Sequence, residues 1–283
     1  MRSYDVARLL ALAAMWSLQY LFMRVAVPAL GFELVAEMRA LFAALFLLPA
    51  AIVLGQRPRL YSNRRVYFRV SLINNVLPFI CFAYAAASLP AGYLSIINGT
   101  VPMWTALCAA WLLREPLGGR RIVGFALGLV GVVLIVQLGP VALDAQVILA
   151  ALVGLLGAAF WGWGGVMIKQ HTGEVPAIAL AAGSICFSAL LLSPAWVTAT
   201  DATWTVGATI SAIALGVVGS GIAYLAFFTL VRDIGPSRTL SVTFLIPVLG
   251  VLWGWLLLDE AVTVSMIVGG IMVVAALGLV MRR

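Results

Sequence analysis

Residues 101–135 read VPMWTALCAAWLLREPLGGRRIVGFALGLVGVVLI, and residues 246–280 read IPVLGVLWGWLLLDEAVTVSMIVGGIMVVAALGLV. Each stretch has a proline at its second position, an apolar run that reaches a glutamate, and a glycine-rich apolar segment after it. The second begins 145 residues after the first (246 − 101). Working outward, one offset keeps matching the two halves of the chain. Ala13, Ala14 and Trp16 meet Ala158, Ala159 and Trp161, and Arg24 meets Lys169. Phe42, Ala44, Leu45, Leu47, Pro49 and Ala50 meet Phe187, Ala189, Leu190, Leu192, Pro194 and Ala195. Pro102 meets Pro247, and Leu112, Leu113 and Glu115 meet Leu257, Leu258 and Glu260. Ile122, Val123 and Gly124 meet Ile267, Val268 and Gly269. Apolar bias alone produces leucine and alanine matches. It does not produce ungapped matches of tryptophan, proline and acid.

The 283 residues are 64% apolar and only 10% charged, against about 25% charged in soluble domains. Lipid is the solvent such a chain needs. A helix crosses about 30 Å of hydrocarbon with about 20 apolar residues. Cutting at charges, glycines and prolines gives ten such segments, at 6–27, 32–54, 66–88, 91–113, 121–138, 146–168, 176–198, 207–230, 236–258 and 265–281. They are apolar all round, without the alternation of barrel strands, and backbone groups in lipid must be satisfied within each segment. The expected fold is an all-α polytopic membrane protein of ten transmembrane helices. The halves, 1–140 and 141–283, hold five each. An odd number of crossings makes the second half enter from the opposite side, so they form two inverted five-helix repeats.

Charge sets the orientation. With the N-terminus in the cytoplasm, Arg2, Arg8, Arg57, Arg59, Arg64, Arg65, Arg69, Arg114, Arg120, Arg121, Lys169, Arg232, Arg238, Arg282 and Arg283 lie on or near the inner side. Only Arg24 and Arg39 fall toward the outer side. This positive-inside bias places both termini in the cytoplasm and accounts for the net charge of +7 without nucleic acid. Arg64, Arg65 and Arg69 before helix three correspond to Thr209, Ile210 and Ala214 before helix eight, the divergence that opposite insertion requires. The first apolar run is longer than a signal-peptide core and has its counterpart in the second half.

Cys81, Cys108 and Cys186 lie singly in apolar runs, as small hydrophobes do. His171, beside Lys169 and Gly173 in a polar gap, is the only histidine. No metal site, catalytic pair or cofactor is expected from this inventory.

These residues resemble the EamA family of the drug/metabolite transporter superfamily. The resemblance spans nearly the whole chain and rests on Trp16 and Arg24, on EMRALFAALFLLP at 37–49, and on the two opening stretches. Departing from the pattern, the position matching Arg39 holds Ser184, and helix six is rich in Trp and Gly. Within the family the chain is most similar to bacterial amino-acid exporters of the YddG type. The resemblance implies ten helices, a bacterial inner (plasma) membrane location and export or exchange of metabolites.

Polar and aromatic residues deep in the helices are the candidates for a solute site, because unpaired polar groups in hydrocarbon are costly. Helix one offers Trp16, Gln19 and Tyr20, and helix three offers Ser71, Asn74, Asn75 and Pro78. Helix four has Ser95, Asn98, Pro102 and Thr105, and helix nine has Thr239, Thr243, Pro247 and Gly250. Helix six has Trp161 and Trp163, and helix eight has Ser220 and Tyr224. From these the substrate-binding set is Trp16, Tyr20, Asn74, Asn75, Asn98, Trp161, Trp163, Ser220, Tyr224 and Thr243. The plainer alternative is that the amides and hydroxyls bond neighbouring helices and the tryptophans fill space. Trp196 and Trp204, near helix ends, read as interfacial belt residues. Pro78, Pro102 and Pro247 are expected hinges, or static bends. Gly154, Gly157, Gly162, Gly164 and Gly165 read as close-packing positions.

Arg24, Glu33, Glu37 and Arg39 form the expected gate or structural ion pair, Arg39 taking Glu33 or Glu37 as partner. No acid lies at the centre of a segment, which favours facilitated or exchange transport over proton coupling. Small metabolites, amino acids above all, are the leading cargo, carried by alternating access. Larger amphipathic drugs, nucleosides or vitamins are the alternative, and a scramblase or membrane enzyme is a third. The partners expected are the solute and membrane lipids, with the chain a monomer or homodimer.

Overall fold

The computed structural model describes residues 3–114, 118–138, 141–171 and 174–281. Glu115 of the repeat motif, Gly173, and Arg2, Arg282 and Arg283 of the charge pattern lie outside the described residues. Among the described residues every regular element is helical. The helices are α1 (Ser3–Leu30), α2 (Phe32–Val53), α3 (Arg64–Ser88), α4 (Ala91–Asn98), α5 (Val101–Leu112) and α6 (Gly119–Leu138). They continue with α7 (Ala145–His171), α8 (Ala177–Thr198), α9 (Val206–Ile234), α10 (Pro236–Thr239), α11 (Val242–Leu258) and α12 (Val264–Met281). Eight of them, α1, α2, α3, α6, α7, α8, α9 and α12, are long and apolar enough to cross a membrane, and α11 is a shorter apolar helix. Large apolar side chains such as Leu45, Trp111, Val130, Leu152, Leu190 and Ile271 are exposed on this bundle, as lipid-facing positions must be.

Two expected helices are broken. Segment 91–113 is α4 and α5, separated by Gly99 and Thr100, and segment 236–258 is α10 and α11, separated by Leu240 and Ser241. Pro102 therefore stands in the first turn of α5, where its missing N–H costs nothing, and not in the middle of a continuous helix. Pro247 is inside α11. Hydroxyls take up the carbonyls that the breaks release. Thr100 donates to the Ile97 carbonyl at 2.7 Å, Ser241 to Arg238 at 2.7 Å, and Thr243 to Leu240 at 2.7 Å.

Two others contain a wide π-helical turn, Ser71–Val76 in α3 and Val217–Ile222 in α9. In α3 the turn ends just before Pro78, which cannot bond back to the carbonyl four residues earlier; widening the helix accommodates this. In α9 the turn holds Gly219, Ser220 and Gly221. The two turns fall within one residue of the 145-residue offset (217 − 71 = 146).

The same offset organises the packing. Helix α3 packs on α7 as α9 packs on α1, and α5 on α7 as α11 on α1. Helix α2 packs on α8, and α6 on α12. Contact between α6 and α12 is close enough that a Cβ on Gly131 would stand 2.8 Å from the Gly269 carbonyl. At Gly124, on the same face of α6, a Cβ would stand 3.0 Å from the Ala276 carbonyl. The two non-glycine residues with left-handed backbone, Arg114 (φ 54) and Asp259 (φ 52), are also 145 apart (259 − 114).

Gly164 offers a test of this packing. A Cβ there would come 2.9 Å from the Asn74 backbone, whereas Gly165 faces open space. We expect Gly164→Ala to cost about 1–3 kcal/mol through overpacking, read as a lowered thermal midpoint of purified protein in detergent. Gly165→Ala should leave the midpoint within error of the parent, and equal effects at both positions would contradict the packing.

Candidate functional site

The π-helical turns bring polar groups to the centre of the bundle. Asn75, 1% exposed in the α3 turn, donates through Nδ2 to the hydroxyls of Ser188 at 3.0 Å and Ser184 at 3.5 Å on α8. Ser220, fully buried in the α9 turn, accepts from Nε of Arg39 on α2 at 3.0 Å. These two contacts are counterparts, because Arg39 corresponds to Ser184 and Asn75 to Ser220. A second pair joins amide to glycine. Asn74 lies on Gly164, and Gln19 lies on Gly219 with 3.4 Å to a Cβ built there. The third pair is aromatic. Trp16 meets Phe227 with ring centroids 5.3 Å apart, and Trp161 meets Phe82 at 4.6 Å. Every one of these six contacts runs between the first half of the sequence and the second.

Two hydrogen-bonded chains result. In one, Gln19 Nε2 donates to the Tyr20 hydroxyl at 3.1 Å while its Oε1 accepts from Arg39 Nη2 at 2.8 Å, and Arg39 continues to Ser220. In the other, Ser71 and Ser188 hydroxyls lie 3.0 Å apart, Ser188 accepts from Asn75, and Asn74 Nδ2 donates to Asn75 Oδ1 at 3.1 Å. Half-buried Tyr224 stands near Asn74 of one chain and Arg39 of the other. The guanidinium of Arg39 lies over the Phe79 ring at 3.8 Å and faces the Trp161 ring at 5.8 Å.

The structure thus gathers Trp16, Tyr20, Asn74, Asn75, Trp161, Ser220 and Tyr224. It does not gather the other three expected substrate residues. Trp163, two positions beyond Trp161, projects roughly 200° around the helix from it. Asn98 is the last residue of α4 and Thr243 lies near the start of α11, so both sit beside helix breaks. Pro78 stands at the start of the stretch after the π turn of α3. Ser184, Ser188, Phe79, Phe82 and Phe227 also meet these groups, and none of them is in the expected substrate set. The repeat offset is a signal for three of them: it carries Arg39 to Ser184 and links Phe82 with Phe227.

The expected ion pairs are rearranged. Arg39 has no carboxylate partner among the described residues; it bonds Gln19 and Ser220. Glu37 lies two residues away on the same helix and so faces elsewhere. It is 2% exposed, its Oε1 accepts from the Trp196 indole at 3.1 Å, and its Oε2 has no partner among the described residues. Trp196 in turn stacks on Trp204 at 6.1 Å and 7° between planes, so this belt tryptophan also holds an acid. Glu33 is exposed. Arg24 donates to the carbonyls of Ala86 and Ala87 at 3.2 and 3.3 Å and lies 4.0 Å from Glu260. Glu260 accepts from the backbone N–H groups of Ala91 at 2.8 Å and Gly92 at 3.3 Å, capping α4 from the α11–α12 loop.

The EamA-like transporter family model matches this chain twice, at residues 6–137 and 148–282. The chain belongs to the EamA-like transporter family. Family membership and the apolar helices make it a multi-pass membrane protein of a transporter family. It is 28% identical to the uncharacterized transporter YvbV of Bacillus subtilis, over 95% of this chain and 88% of that one. It is 23% identical to a Salmonella typhimurium protein named "Probable amino-acid metabolite efflux pump", over 95% of this chain and 91% of that one. A Streptantibioticus cattleyicolor protein named "Probable terminal-alkyne amino-acid exporter" is 29% identical over 69% of this chain and 65% of its own. A solved crystal structure with 18% identity shares the fold, at TM-score 0.70 over 99% of this chain and 96% of that one.

Loss of the Glu260 cap should destabilise α4. Glu260→Ala is expected to cost about 0.5–2 kcal/mol, and the Arg24→Ala effect should shrink in its presence because the residues share one network. A double-mutant cycle on thermal midpoints measures this, and strict additivity would remove the coupling.

Proposed function

We propose that this chain carries small metabolites across the bacterial inner membrane, with apolar and aromatic amino acids the leading cargo. The working unit is a pair of inverted five-helix repeats, residues 1–140 and 141–283, crossing the membrane ten times with both termini in the cytoplasm. In this reading α4 with α5, and α10 with α11, each make one crossing. The observation that carries the proposal is the set of paired contacts between halves: Arg39–Ser220 with Ser184–Asn75, Gln19–Gly219 with Gly164–Asn74, and Trp16–Phe227 with Trp161–Phe82. Inverted-repeat transporters place their solute between the repeats near the bilayer midplane and lean on broken helices there. Polar chains flanked by tryptophan and phenylalanine suit a solute with a polar head and an apolar body. The names of two relatives, an amino-acid metabolite efflux pump and an amino-acid exporter, support the same cargo.

The helix breaks supply the asymmetry that alternating access needs. Shifted by 145, the 240–241 break falls at 95–96, about one helical turn from the break at 99–100. Exchange of conformations between the repeats would slide each break by that turn while one set of paired contacts opens and the other closes.

Purified protein in liposomes tests the cargo. Counterflow of labelled phenylalanine or leucine is expected, and absence of counterflow for every proteinogenic amino acid would sink the amino-acid reading. An imposed pH gradient and Glu37→Gln address coupling separately: uncoupled exchange predicts the same flux with and without the gradient and an unaltered pH profile in the variant. For topology, a reporter active only in the cytoplasm should be active at either terminus, and periplasmic activity at one of them would reverse or break the assigned orientation.

A further inference from the structure

Arg39 is a buried cation that forms no ion pair with an acid among the described residues. It is 3% exposed and the eighth residue of α2, about 10 Å along the helix from its start. A charged group at such depth is costly, and an intramembrane ionisable residue is by default a functional one. What surrounds it is neutral: an amide, a hydroxyl, the two phenols of Tyr20 and Tyr224, and the faces of Phe79 and Trp161. No described acid forms an ion pair with it, and Glu37 is committed to Trp196.

The way the guanidinium is held matters more than its burial. A guanidinium presents two edges suited to two-point bonding, one made by Nε with Nη2 and one made by Nη1 with Nη2. Nε donates to Ser220, and Nη2 donates one of its two N–H groups to Gln19. The second edge keeps its Nη1 donors, since Nη1 is buried with no acceptor among the described residues. Phe79 and Trp161 hold the plane of the group, so the free edge is fixed in direction. A planar, preset pair of charged N–H donors is the match for a carboxylate. Ser184 stands where the second half would have its own arginine, so the molecule presents one such edge.

We infer that the free Nη1–Nη2 edge of Arg39 is the docking point for the carboxylate of the transported solute, which selects small carboxylates with an apolar or aromatic body and fixes the head of the solute on the α2 side of the site. The inference rests on the proposed solute site between the halves and adds the chemical class that the site accepts. It binds acids and rejects the corresponding amides and amines.

Four probes of one shape decide it: phenylalanine, phenylacetate, phenylalaninamide and phenethylamine, each tested for binding to the purified full-length protein in detergent by thermal shift and by competition in liposome counterflow. The two carboxylates should raise the midpoint, and the two probes lacking a carboxylate should bind roughly tenfold or more weakly. Arg39→Gln should lose the preference for acid over amide. Arg39→Lys keeps the charge without the fork and should retain a reduced preference. If phenylacetate stabilises the protein and no amino acid is exchanged, the carboxylate edge stands and the amino-acid reading falls. If wild-type protein binds the amide as well as the acid, or neither carboxylate stabilises it, the inference is overturned. Arg39→Gln protein with the wild-type preference would overturn it too. If both variants fail to fold, the four probes on wild-type protein decide between these outcomes by themselves.

Discussion

Hydrocarbon offers no hydrogen-bond partner, and the interior of this protein is arranged around that lack. The polar side chains brought to the centre bond mostly to one another, in chains rather than as scattered singles, with Arg39 Nη1 the exception. Tyr20, Gln19, Arg39 and Ser220 form one chain, and Asn74, Asn75, Ser188 and Ser71 form the other. Both cross from the first half of the sequence to the second. Elsewhere the helices meet largely through small residues and apolar packing, which in lipid supplies contact without a hydrophobic drive, with single polar contacts such as the Glu260 cap on α4. The result is a bundle with specific, directional bonds gathered where its halves meet.

Much of the fold can be read in the sequence because its signals are periodic and long. Apolar runs are bounded by charges, and the offset that pairs Trp16 with Trp161 and Pro102 with Pro247 also pairs the π turns, the left-handed residues Arg114 and Asp259, and the ring contacts. The helix breaks are not legible there. A stretch such as YLSIINGTVPMW at 93–104 is largely apolar, and its interruption depends on Gly99 and Thr100 ahead of Pro102, a local competition that hydropathy does not register. The wide turns escape for the same reason, since a π turn changes the bonding of a helix without changing its composition.

At the site, residue type is informative and partnership is not. Amides, tyrosines and tryptophans at depth are recognisable one by one, and several of them converge. The partner of Arg39 is misread because charge suggests charge: Glu37 is near in sequence, yet two residues along a helix turn a side chain to the other side. Trp163 is lost to the same geometry. Ser184 and Ser188 carry little signal alone, being common in membrane helices, and gain meaning only as the receiving side of Asn75.

The amide-on-glycine contacts bear on how such a chain comes to exist. Gln19 rests on Gly219 and Asn74 on Gly164, so at each place one half supplies bulk and the other supplies room. Two copies of the first half, docked in this arrangement, would set Gln19 against Asn74, bulk upon bulk. Two copies of the second would set Gly164 against Gly219 and leave a hollow, with Ser184 facing Ser220 and no cation between them. Neither half is any longer self-complementary. At these contacts each half is shaped to receive the other and not a second copy of itself.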